Sequence, residues 1–559
     1  MASISGNLGH VQDVQLIEGY IPLETEEKSD ATWDPTMLIN EIFSDIRPCP
    51  DYAKRSLGQV ATASQSVPMS GLIDKLPSGV EKPSLLKGWK RRFARCQNCN
   101  LFYYEDNRAT RPLGIIKLAG AKVTLAADHT FRIVEKESGT LFTFRCTTQA
   151  FAEDWVASIK EEMGKADAVK TNTPENSVST IIVDIGSSAC RAGFVYEGAY
   201  PSVCFPTVMA YDRVTKNKDD AIYGKDALLP SVREKSVLRY PLRTSLHVKK
   251  FAVEVNEIMG LIKHAYRLLE AKPTDYKLLL TLPQCVQVCD KLELLSALFE
   301  DFHCPAVYLS EQAIMALYSY HLTTGVVVDI GDRMDIVPIV DGVIIENGVT
   351  RYPYGGRAVN EAMTRKLAEE GYRMFADVQQ YVVKYIKERA SYVADNADDQ
   401  DSRCTSNPAE WTETVDCRRF RMPSGILSVK VLQSRYRACE GFFDPNVFGY
   451  DNVGIHRLVE KAIKAAGIDN RRDLCRNILL SGGSTQTKGL PARLQAEVTN
   501  LMPAGSQVQV HSNEERHYAA FKGAAVLASL QMFDTLCIWS QDFLSCEPDD
   551  RKGLLSRWQ

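Results

Sequence analysis

The sequence has no long uninterrupted run of apolar residues. Its longest apolar stretch, residues 325–345, is broken by the charged residues Asp329, Asp332, Arg333 and Asp335, whereas a membrane-spanning helix needs about 20 predominantly apolar residues. The N-terminus also lacks a basic segment followed by an apolar block and a small-residue cleavage site. We therefore expect a protein that does not span a bilayer and that stays in the cytosol or the nucleus.

An excess of charge of one sign is missing as well. The 559 residues contain 66 Lys and Arg against 70 Asp and Glu, which gives a formal net charge of −4. This balance excludes a protein devoted to coating nucleic acid, and no direct contact with nucleic acid is expected. The apolar fraction of 45%, with 34 Gly and 24 Pro, also excludes collagen-like and wholly disordered chains.

The cysteines show no sign of a disulfide framework. Their number, 15, is odd, and they are scattered along a chain without a secretory signal, which favours reduced and buried thiols. Cys96 and Cys99 form a CxxC, but no second CxxC or HxxxH follows at zinc-finger spacing. A hairpin turn at residues 97–100 is therefore preferred over a metal site.

Residues 1–70 form an acidic arm with ten acidic and four basic residues, and its end, residues 58–71, is a small polar run typical of a linker. Within the arm, residues 33–46 predict a short amphipathic helix with Asp34 as N-cap and Pro35 as the first helical residue. Its apolar residues, at spacings of four, are Leu38, Ile42 and Ile46. Docking to a partner and packing on the protein's own body are both consistent with this helix.

The next block, residues 71–165, carries 16 basic and 11 acidic residues. Short β-branched or aromatic runs divided by turn residues predict hairpins, and these runs are residues 101–105, 114–120, 129–135 and 140–146. A helical spacing predicts a helix over residues 150–163 that covers one end of a small barrel. The apolar face of this helix consists of Phe151, Trp155, Ile159 and Met163.

This block resembles a pleckstrin homology domain. The resemblance rests on GLIDK at 71–75, WKRRF at 89–93, a tyrosine-rich third strand and a C-terminal helix that carries Trp155. In that family, basic residues of the first two strands hold the phosphates of an inositol lipid, and the matching residues are Lys75, Lys90 and Arg92. Each basic residue near an anionic membrane contributes about 1 kcal/mol. The resemblance implies either phosphoinositide binding or docking of a protein.

From residue 179 the pattern changes to apolar strands alternating with long helices, which is typical of an α/β architecture. Two segments echo each other, because a β-branched strand runs into Asp-Ile-Gly at Asp184 and again at Asp329. The echo indicates a duplicated domain whose halves each present a hairpin loop to a shared cleft. Such a glycine turn can approach a phosphate, and a strand-end carboxylate can hold Mg²⁺ through water.

A third element, residues 478–494, is a strand followed by Ser-Gly-Gly and a helix, where a nucleoside can lie against the backbone. The three elements in this order resemble the actin family. The match continues in sequence order through residues 306–318, 385–394, 436–449 and 514–530. The resemblance implies an α/β, actin-like duplicated fold of the ribonuclease-H type, which actin shares with sugar kinases and chaperone ATPases.

These blocks set the predicted domain boundaries. We expect a partly disordered acidic arm and linker over 1–70, the pleckstrin homology domain over 71–165, a linker over 166–178 and the actin-like nucleotide-binding domain over 179–559.

The resemblance to actin implies a role for each matching residue in binding ATP or ADP with Mg²⁺. The metal and its waters would lie at Asp184 and Asp329. The phosphates would be lined by Asp184, Gly186, Ser187, Ser188, Arg191, Gly331, Asp332 and Arg333. The nucleoside would contact Gly356, Lys384, Lys387, Glu388, Gly482, Gly483, Ser484 and His517. Gln312 matches the glutamine that orients the attacking water and is the candidate catalytic residue.

The second phosphate loop departs from the family pattern where the γ-phosphate would lie. It reads DIGDRMDIVP, so Arg333 replaces a glycine, the loop is one residue shorter, and Asp335 falls near the place of a histidine beside the water. Arg333 could add a cation to a triphosphate or obstruct a turn built for glycine. Losing a group that transfers a proton costs about 10² to 10⁴ in rate. These changes predict that nucleotide binding survives better than hydrolysis.

Two further segments differ from actin. Residues 208–227 are shorter than the loop region that in actin inserts into a neighbouring filament subunit, which argues against self-assembly of this protein alone. Residues 395–424 are polar and irregular and predict a divergent loop without assignable chemistry.

The leading interpretation is an actin-related protein that holds ATP or ADP with Mg²⁺ as a mainly structural ligand and acts as a scaffold or regulator of a cytoskeletal assembly. Expected partners are actin or subunits of an actin-related complex, with phosphoinositide contact through residues 71–165. The expected location is cytoplasmic and cytoskeletal, with possible membrane association. Two alternatives stay open: a slow ATPase that drives polymerisation or a conformational cycle, and a subunit of a nuclear chromatin-remodelling complex.

Overall fold

A computed structural model separates the chain into an N-terminal arm, a β-rich front domain and an α/β body with two lobes. It describes residues 33–49, 54, 69–84, 88–97, 100–106, 109, 112–118, 120–126, 128–136, 138–169, 180–196, 198–218, 220–242, 254–283, 286–422, 425–530 and 532–555. The remainder of the acidic arm, most of the predicted linkers, Cys99 and the last four residues lie outside this set. Among the residues it describes, no helix is both long and apolar enough to cross a bilayer.

Within the described part of the arm, residues 36–42 form a short helix, α1 (Thr36–Ile42). It starts one residue later than predicted, because Pro35 is the N-cap and Thr36 the first helical residue, while Oδ1 of Asp34 accepts a hydrogen bond of 2.9 Å from the backbone N–H of Thr36. The helix packs on the protein's own body, where Trp33, Leu38, Ile39 and Phe43 are buried. The predicted apolar face is wrong at its end, because the helix stops at Ile42 and leaves Ile46 43% exposed.

The front domain is an antiparallel sheet of seven strands followed by helix α2 (Gln149–Val169). The strands are β1 (Met69–Lys75), β2 (Lys90–Gln97), β3 (Asn100–Tyr104), β4 (Gly114–Lys117), β5 (Lys122–Leu125), β6 (Thr130–Val134) and β7 (Leu141–Arg145). Their order in the sheet is β4-β3-β2-β1-β7-β6-β5. Trp155 on α2 is fully buried and stacks on Phe131 with ring centroids 6.5 Å apart, so the predicted hairpins and covering helix are confirmed.

The strands of the body are, in chain order, β8 (Thr180–Ile185), β9 (Ala189–Phe194), β10 (Val203–Pro206), β11 (Met209–Asp212), β12 (Ile222–Tyr223), β13 (Ser236–Arg239), β14 (Lys277–Leu282), β15 (Ala306–Glu311), β16 (Gly325–Ile330), β17 (Met334–Val340), β18 (Val343–Ile344), β19 (Thr350–Tyr352), β20 (Glu413–Asp416), β21 (Ser428–Val431), β22 (Ile478–Ser481), β23 (Val510–His511) and β24 (Ile538–Trp539).

The helices of the body are α3 (Pro230–Arg233), α4 (Val255–Leu268), α5 (Val288–Ser296), α6 (Gln312–Ser319), α7 (Gly356–Glu369), α8 (Gln379–Ala390), α9 (Ala397–Ser406), α10 (Pro408–Trp411), α11 (Ser434–Glu440), α12 (Ile455–Ala465), α13 (Arg471–Arg476), α14 (Leu490–Leu501), α15 (Ala519–Ala528), α16 (Phe533–Leu536), α17 (Ser540–Ser545) and α18 (Arg551–Leu555).

Each lobe is built on one sheet, and the two sheets share a plan. The first lobe has the order β10-β9-β8-β14-β15-β24, and the second has β18-β17-β16-β22-β23 with β19 on β17. Each sheet contains a hairpin, β8–β9 in the first lobe and β16–β17 in the second. The first strand of each hairpin also pairs in parallel with a later strand, β8 with β14 and β16 with β22. The predicted duplication is confirmed by this repeat. The central strands read as continuous apolar runs because both of their faces are covered.

The prediction of an irregular loop over residues 395–424 is wrong, because helix α9 and strand β20 lie within it. The start of α9 carries a clear capping signal, since Oδ1 of Asn396 accepts hydrogen bonds from the backbone N–H groups of Asp398 and Asp399. The polar composition of the helix concealed this signal, because only Ala397, Gln400 and Cys404 of α9 are buried.

The front domain packs against the first lobe through strand β3. Side chains alternate along a strand, so Leu101 and Tyr103 face the core of the front domain while Phe102 and Tyr104 join the hydrophobic cluster of the first lobe. Tyr104 lies with its hydroxyl 3.9 Å from the sulfur of Met532. A strand buried on both faces thus joins the two domains.

Candidate functional site

Asp184 ends the central strand of the first lobe and is 2% exposed. Its Oδ1 accepts hydrogen bonds from Oγ1 of Thr281, at 2.6 Å, and from Nε2 of Gln312, at 2.7 Å. Thr281 is its register partner on the parallel strand β14, and Gln312 begins helix α6. The candidate catalytic glutamine therefore contacts a predicted metal-binding carboxylate directly.

Asp329 occupies the equivalent place in the second lobe. Its register partner on the parallel strand β22 is Ser481, which again is a hydroxyl residue and hydrogen-bonds to the carboxylate. Burial raises the pKa of Asp329 to about 7, and the charges of Asp335 and Asp184 act in the same direction. Each predicted metal ligand is thus a strand-end aspartate held by a hydroxyl from the neighbouring parallel strand.

The two lobes differ across their hairpins. Arg191 stands opposite Asp184 on β9, with its NH1 3.3 Å from Oδ2 of that carboxylate. The corresponding residue opposite Asp329 on β17 is Asp335. Nε of Arg351 lies 2.7 Å from Oδ1 of Asp335. Asp335, which the sequence placed near the attacking water, is therefore engaged in an ion pair.

The two turns predicted to line phosphates are tied down by hydrogen bonds to their carbonyl groups. In the first turn, Oγ1 of Thr207 donates to the carbonyl of Gly186 at 2.7 Å. In the second, the carbonyl of Gly331 accepts from the N–H of Gly356, at 2.7 Å, and from Oγ of Ser484, at 3.0 Å. The second turn holds Arg333 without a left-handed backbone, so the backbone at this position does not require glycine.

The residues predicted for the nucleoside meet at this second turn. Gly482 has a φ of +87°, and a Cβ there would lie 2.5 Å from the carbonyl oxygen of Ile330 and 2.6 Å from Oδ1 of Asp329. Nζ of Lys387 donates to the carbonyl of Gly356 at 3.2 Å. Burial lowers the pKa of Lys387 to about 8, and the charge of Lys384 acts in the same direction.

The remaining nucleoside candidates already have protein partners. Lys384 forms an ion pair of 2.5 Å with Glu388 one helical turn later. The ring of His517 is held at both nitrogens, with Nδ1 2.9 Å from Nε2 of Gln486 and Nε2 3.0 Å from Oδ2 of Asp45. The contact with Asp45 brings the N-terminal arm to this end of the site.

A cleft of about 410 Å³ opens between the two turns. It is lined by residues from both predicted groups, with Ser188 and Asp332 from the phosphate turns and Lys384 and Lys387 from helix α8. Residues that the sequence did not predict also line it, including Tyr240, Arg357 and Asn360.

The residues present fit a nucleotide with Mg²⁺. Mg²⁺ keeps several waters and binds through one or two carboxylates, and Asp184 and Asp329 supply two carboxylates near the ends of the central strands. Burial raises the pKa of Asp329 and the charges of Asp335 and Asp184 act in the same direction, so a nearby cation would favour its charged form. Oδ2 of Asp332 is buried and accepts no hydrogen bond from the described residues. A Cβ added at Gly331 or at Gly483 would meet no other atom within 4 Å, so space is open beside both glycines.

The predicted lipid-headgroup residues converge at one end of the front domain. Lys75 is buried, its Nζ donates to the carbonyl of Leu76 at 3.0 Å, and it lies 4.5 Å from the ring centroid of Tyr103. Burial lowers the pKa of Lys75 to about 8, and the charges of Arg92 and Lys90 act in the same direction. The carboxylate of Asp341, from the β17–β18 hairpin of the body, opposes this effect.

Comparison with known proteins agrees with this architecture. The fold and the facing hairpin turns define a two-lobed protein of duplicated α/β design. The actin family model matches residues 175–545, and the pleckstrin homology domain model matches residues 67–164. The chain is 30% identical over 372 residues to an actin-like protein of Neurospora crassa, covering 65% of this chain and 94% of that protein. The chain belongs to the actin family and is an actin-related protein with a pleckstrin homology domain in front.

Sequence reasoning missed the residues that hold the predicted ones in place. Thr281 and Ser481 hydrogen-bond to the two aspartates, and Arg351 pairs with Asp335. A signal for the first two existed, because each is a single hydroxyl at the end of an apolar strand. Nothing in the local sequence marks Arg351 or Asp45, since their partners are set by tertiary packing.

We predict that Gly482→Ala destabilises the body more than Gly505→Ala does. Both positions have nearly equal positive φ, +87° and +86°, but a Cβ at Gly505 would meet nothing within 4 Å. Backbone strain of about 1–3 kcal/mol is common to both variants, and the clash at Gly482 adds about 1–3 kcal/mol. Urea unfolding followed by circular dichroism measures the difference, and equal losses would contradict the close approach of Gly482 to Asp329.

Proposed function

We propose that this protein binds ATP or ADP with Mg²⁺ between its two lobes as a mainly structural ligand, and that it serves as a scaffold or regulator of a cytoskeletal assembly. The observation that carries the proposal is the pair of strand-end aspartates, Asp184 and Asp329, beside two glycine turns that border one cleft. A ligand that contacts both lobes stabilises the folded state in proportion to its binding.

Different residues of the chain would bind the metal and the phosphates. Asp184 and Asp329 would hold Mg²⁺ through its waters, and the metal would offset the charge of the phosphates. The N–H groups of the two turns and the guanidinium groups of Arg191 and Arg333 would face the phosphates. Glycine at 331 and 483 leaves the room that the ligand needs.

The family relationship supports cytoskeletal partners, and we propose actin or subunits of an actin-related complex as the class of partner. Cytoplasmic location with attachment to the cytoskeleton belongs to the same proposal. The front domain would bring the protein to a phosphoinositide membrane. Support for this step comes from the convergence of Lys75, Lys90 and Arg92, since burial lowers the pKa of Lys75 and the charges of Arg92 and Lys90 act in the same direction.

A slow ATPase is a second candidate function, and the position of Gln312 favours it. Its Nε2 donates to Asp184 and, at 3.3 Å, to the carbonyl of Ile185. With the amide nitrogen fixed in this way, Oε1 is the atom that would accept a hydrogen bond from an attacking water. The ion pair between Asp335 and Arg351 leaves Gln312 as the candidate for orienting that water.

The structural-ligand proposal predicts nearly one nucleotide per purified chain, released on denaturation and identified by chromatography. The variant Asp329→Asn should lose Mg²⁺-dependent ATP affinity by about tenfold, because a carboxylate that offsets the metal charge is gone. Burial already disfavours the charged form of Asp329, so asparagine should be tolerated by the fold. The exposed Asp469 offers a control, and Asp469→Asn should bind like the natural chain. Absence of bound nucleotide together with no binding of added ATP would contradict the proposal.

If the protein hydrolyses ATP, phosphate release should fall by about 10²-fold in Gln312→Ala, because the water loses its orientation. A single-turnover assay with a phosphate sensor measures this rate. Gln287→Ala changes an exposed glutamine and should leave the rate unaltered. Equal rates of phosphate release in the natural chain and in both variants would show that Gln312 takes no part in the reaction.

Phosphoinositide binding should weaken as pH rises through about 8. Lys75 is charged below its pKa of about 8 and neutral above it, so a cation is lost between pH 7 and pH 9. Co-sedimentation with vesicles containing phosphatidylinositol bisphosphate should show this loss. Lys75→Gln should bind about fivefold more weakly at pH 7 and show a smaller change with pH. The exposed Lys160 on α2 serves as control, and a pH profile unaffected by Lys75→Gln would contradict the assignment.

A further inference from the structure

The first half of the described arm packs mainly on the second lobe, and it also reaches the first lobe, where Nζ of Lys225 donates to Oδ1 of Asn40 at 3.0 Å and the guanidinium of Arg233 donates to the carbonyl of Trp33. Trp33, Leu38, Ile39 and Phe43 are buried in the hydrophobic cluster of the second lobe, and Nε1 of Trp33 donates to the carbonyl of Phe420 at 3.0 Å. Glu41 forms two ion pairs, of 2.7 Å with Arg389 and of 2.6 Å with Arg419. We call residues 33–49 the strap.

The other half of the strap is anchored on the first lobe. Asp45 accepts hydrogen bonds from Oη of Tyr200, at 3.2 Å, and lies 3.0 Å from Nε2 of His517. The N–H of Arg47 donates to the carbonyl of Pro201 at 3.1 Å, and its guanidinium lies 3.9 Å above the ring of Tyr200. Arg47 also forms an ion pair of 3.0 Å with Glu515.

The strap crosses the end of the cleft where the nucleoside residues lie. Its contact in the second lobe, Arg389, directly follows Glu388 on helix α8. Its contact at the other end, His517, belongs to the same predicted group; it precedes helix α15 of the first lobe and also hydrogen-bonds to Gln486 of the second. Between these two contacts only three residues of the strap intervene, 42–44. A short and anchored segment therefore runs from one lobe to the other at the nucleoside end.

We propose that the strap ties the two lobes together and limits the rate at which nucleotide leaves the cleft, an inference that rests on the proposed nucleotide binding. Release of a ligand held between lobes requires the lobes to separate. Separation must then break either the contacts of the strap with the first lobe, at Tyr200, Pro201, Lys225 and Arg233, or the contacts of Glu41 and Phe43 with the second lobe. By reciprocity, bound nucleotide that holds the lobes closed also stabilises the strap.

The experiment measures release of N-methylanthraniloyl-ATP from the full chain in Mg²⁺ after a chase with unlabelled ATP. Glu41→Arg places a third cation beside Arg389 and Arg419 and should speed release about three- to tenfold. In the double variant Glu41→Arg/Arg419→Glu, opposite charges face each other again, and the logarithm of the release rate should return at least halfway to its natural value. A misfolded protein would show no such recovery. Phe43→Ala removes a buried anchor and should speed release at least tenfold. Met37, 56% exposed on the same helix, gives the control, and Met37→Ala should release at the natural rate.

A second readout does not depend on nucleotide. The N–H groups of Ile39 and Phe43 are hydrogen-bonded within the strap helix, so hydrogen exchange at residues 36–43 should rise in Glu41→Arg and fall again in the double variant. Tight ATP binding with equal release rates in all variants would overturn the strap proposal alone. Failure of the natural chain to bind ATP would overturn both this inference and the proposed function.

Discussion

The arrangement of the body depends on how each lobe holds a buried carboxylate near the end of its central strand. A buried carboxylate must be hydrogen-bonded or paired, and both lobes meet this need with the same device. A parallel strand brings a hydroxyl into register with the aspartate, Thr281 for Asp184 and Ser481 for Asp329. The sheet order, the short hydroxyl residues and the tight glycine turn at Gly482 all follow from that requirement.

The symmetry of the two lobes is broken where chemistry would occur. Arg191 compensates Asp184 across its hairpin, while Asp335 adds a second negative charge opposite Asp329. Arg351 on β19 neutralises Asp335 from the far side. Asp184 therefore has a cation beside it within its own hairpin. Asp329 lies opposite the acid Asp335 there, and burial, together with the charge of Asp335, raises the pKa of Asp329 to about 7.

Much of this arrangement could be read from the sequence, because the elements concerned are short and local. The Asp-Ile-Gly repeat, the Ser-Gly-Gly turn and the helical spacing of Trp155 each depend on residues close together along the chain. The contacts that escaped prediction join distant segments, such as Asp45 to His517 and Asp335 to Arg351. Helix α9 was not predicted for another reason. A helix with few buried residues shows no apolar periodicity in its sequence. Phe43 was overlooked because helix α1 ends one residue before it.

Strand β17 has a consequence beyond the sheet in which it lies. It begins at Met334, directly after the second phosphate turn, and ends at Val340, beside the hairpin residue Asp341 that faces Lys75 of the front domain. Seven residues of extended chain span roughly 20 Å, and paired strands do not stretch. The strand therefore forms a rigid connection between the second turn and the hairpin that faces the front domain. A displacement of the front domain against this hairpin would then be transmitted along the strand to the second turn.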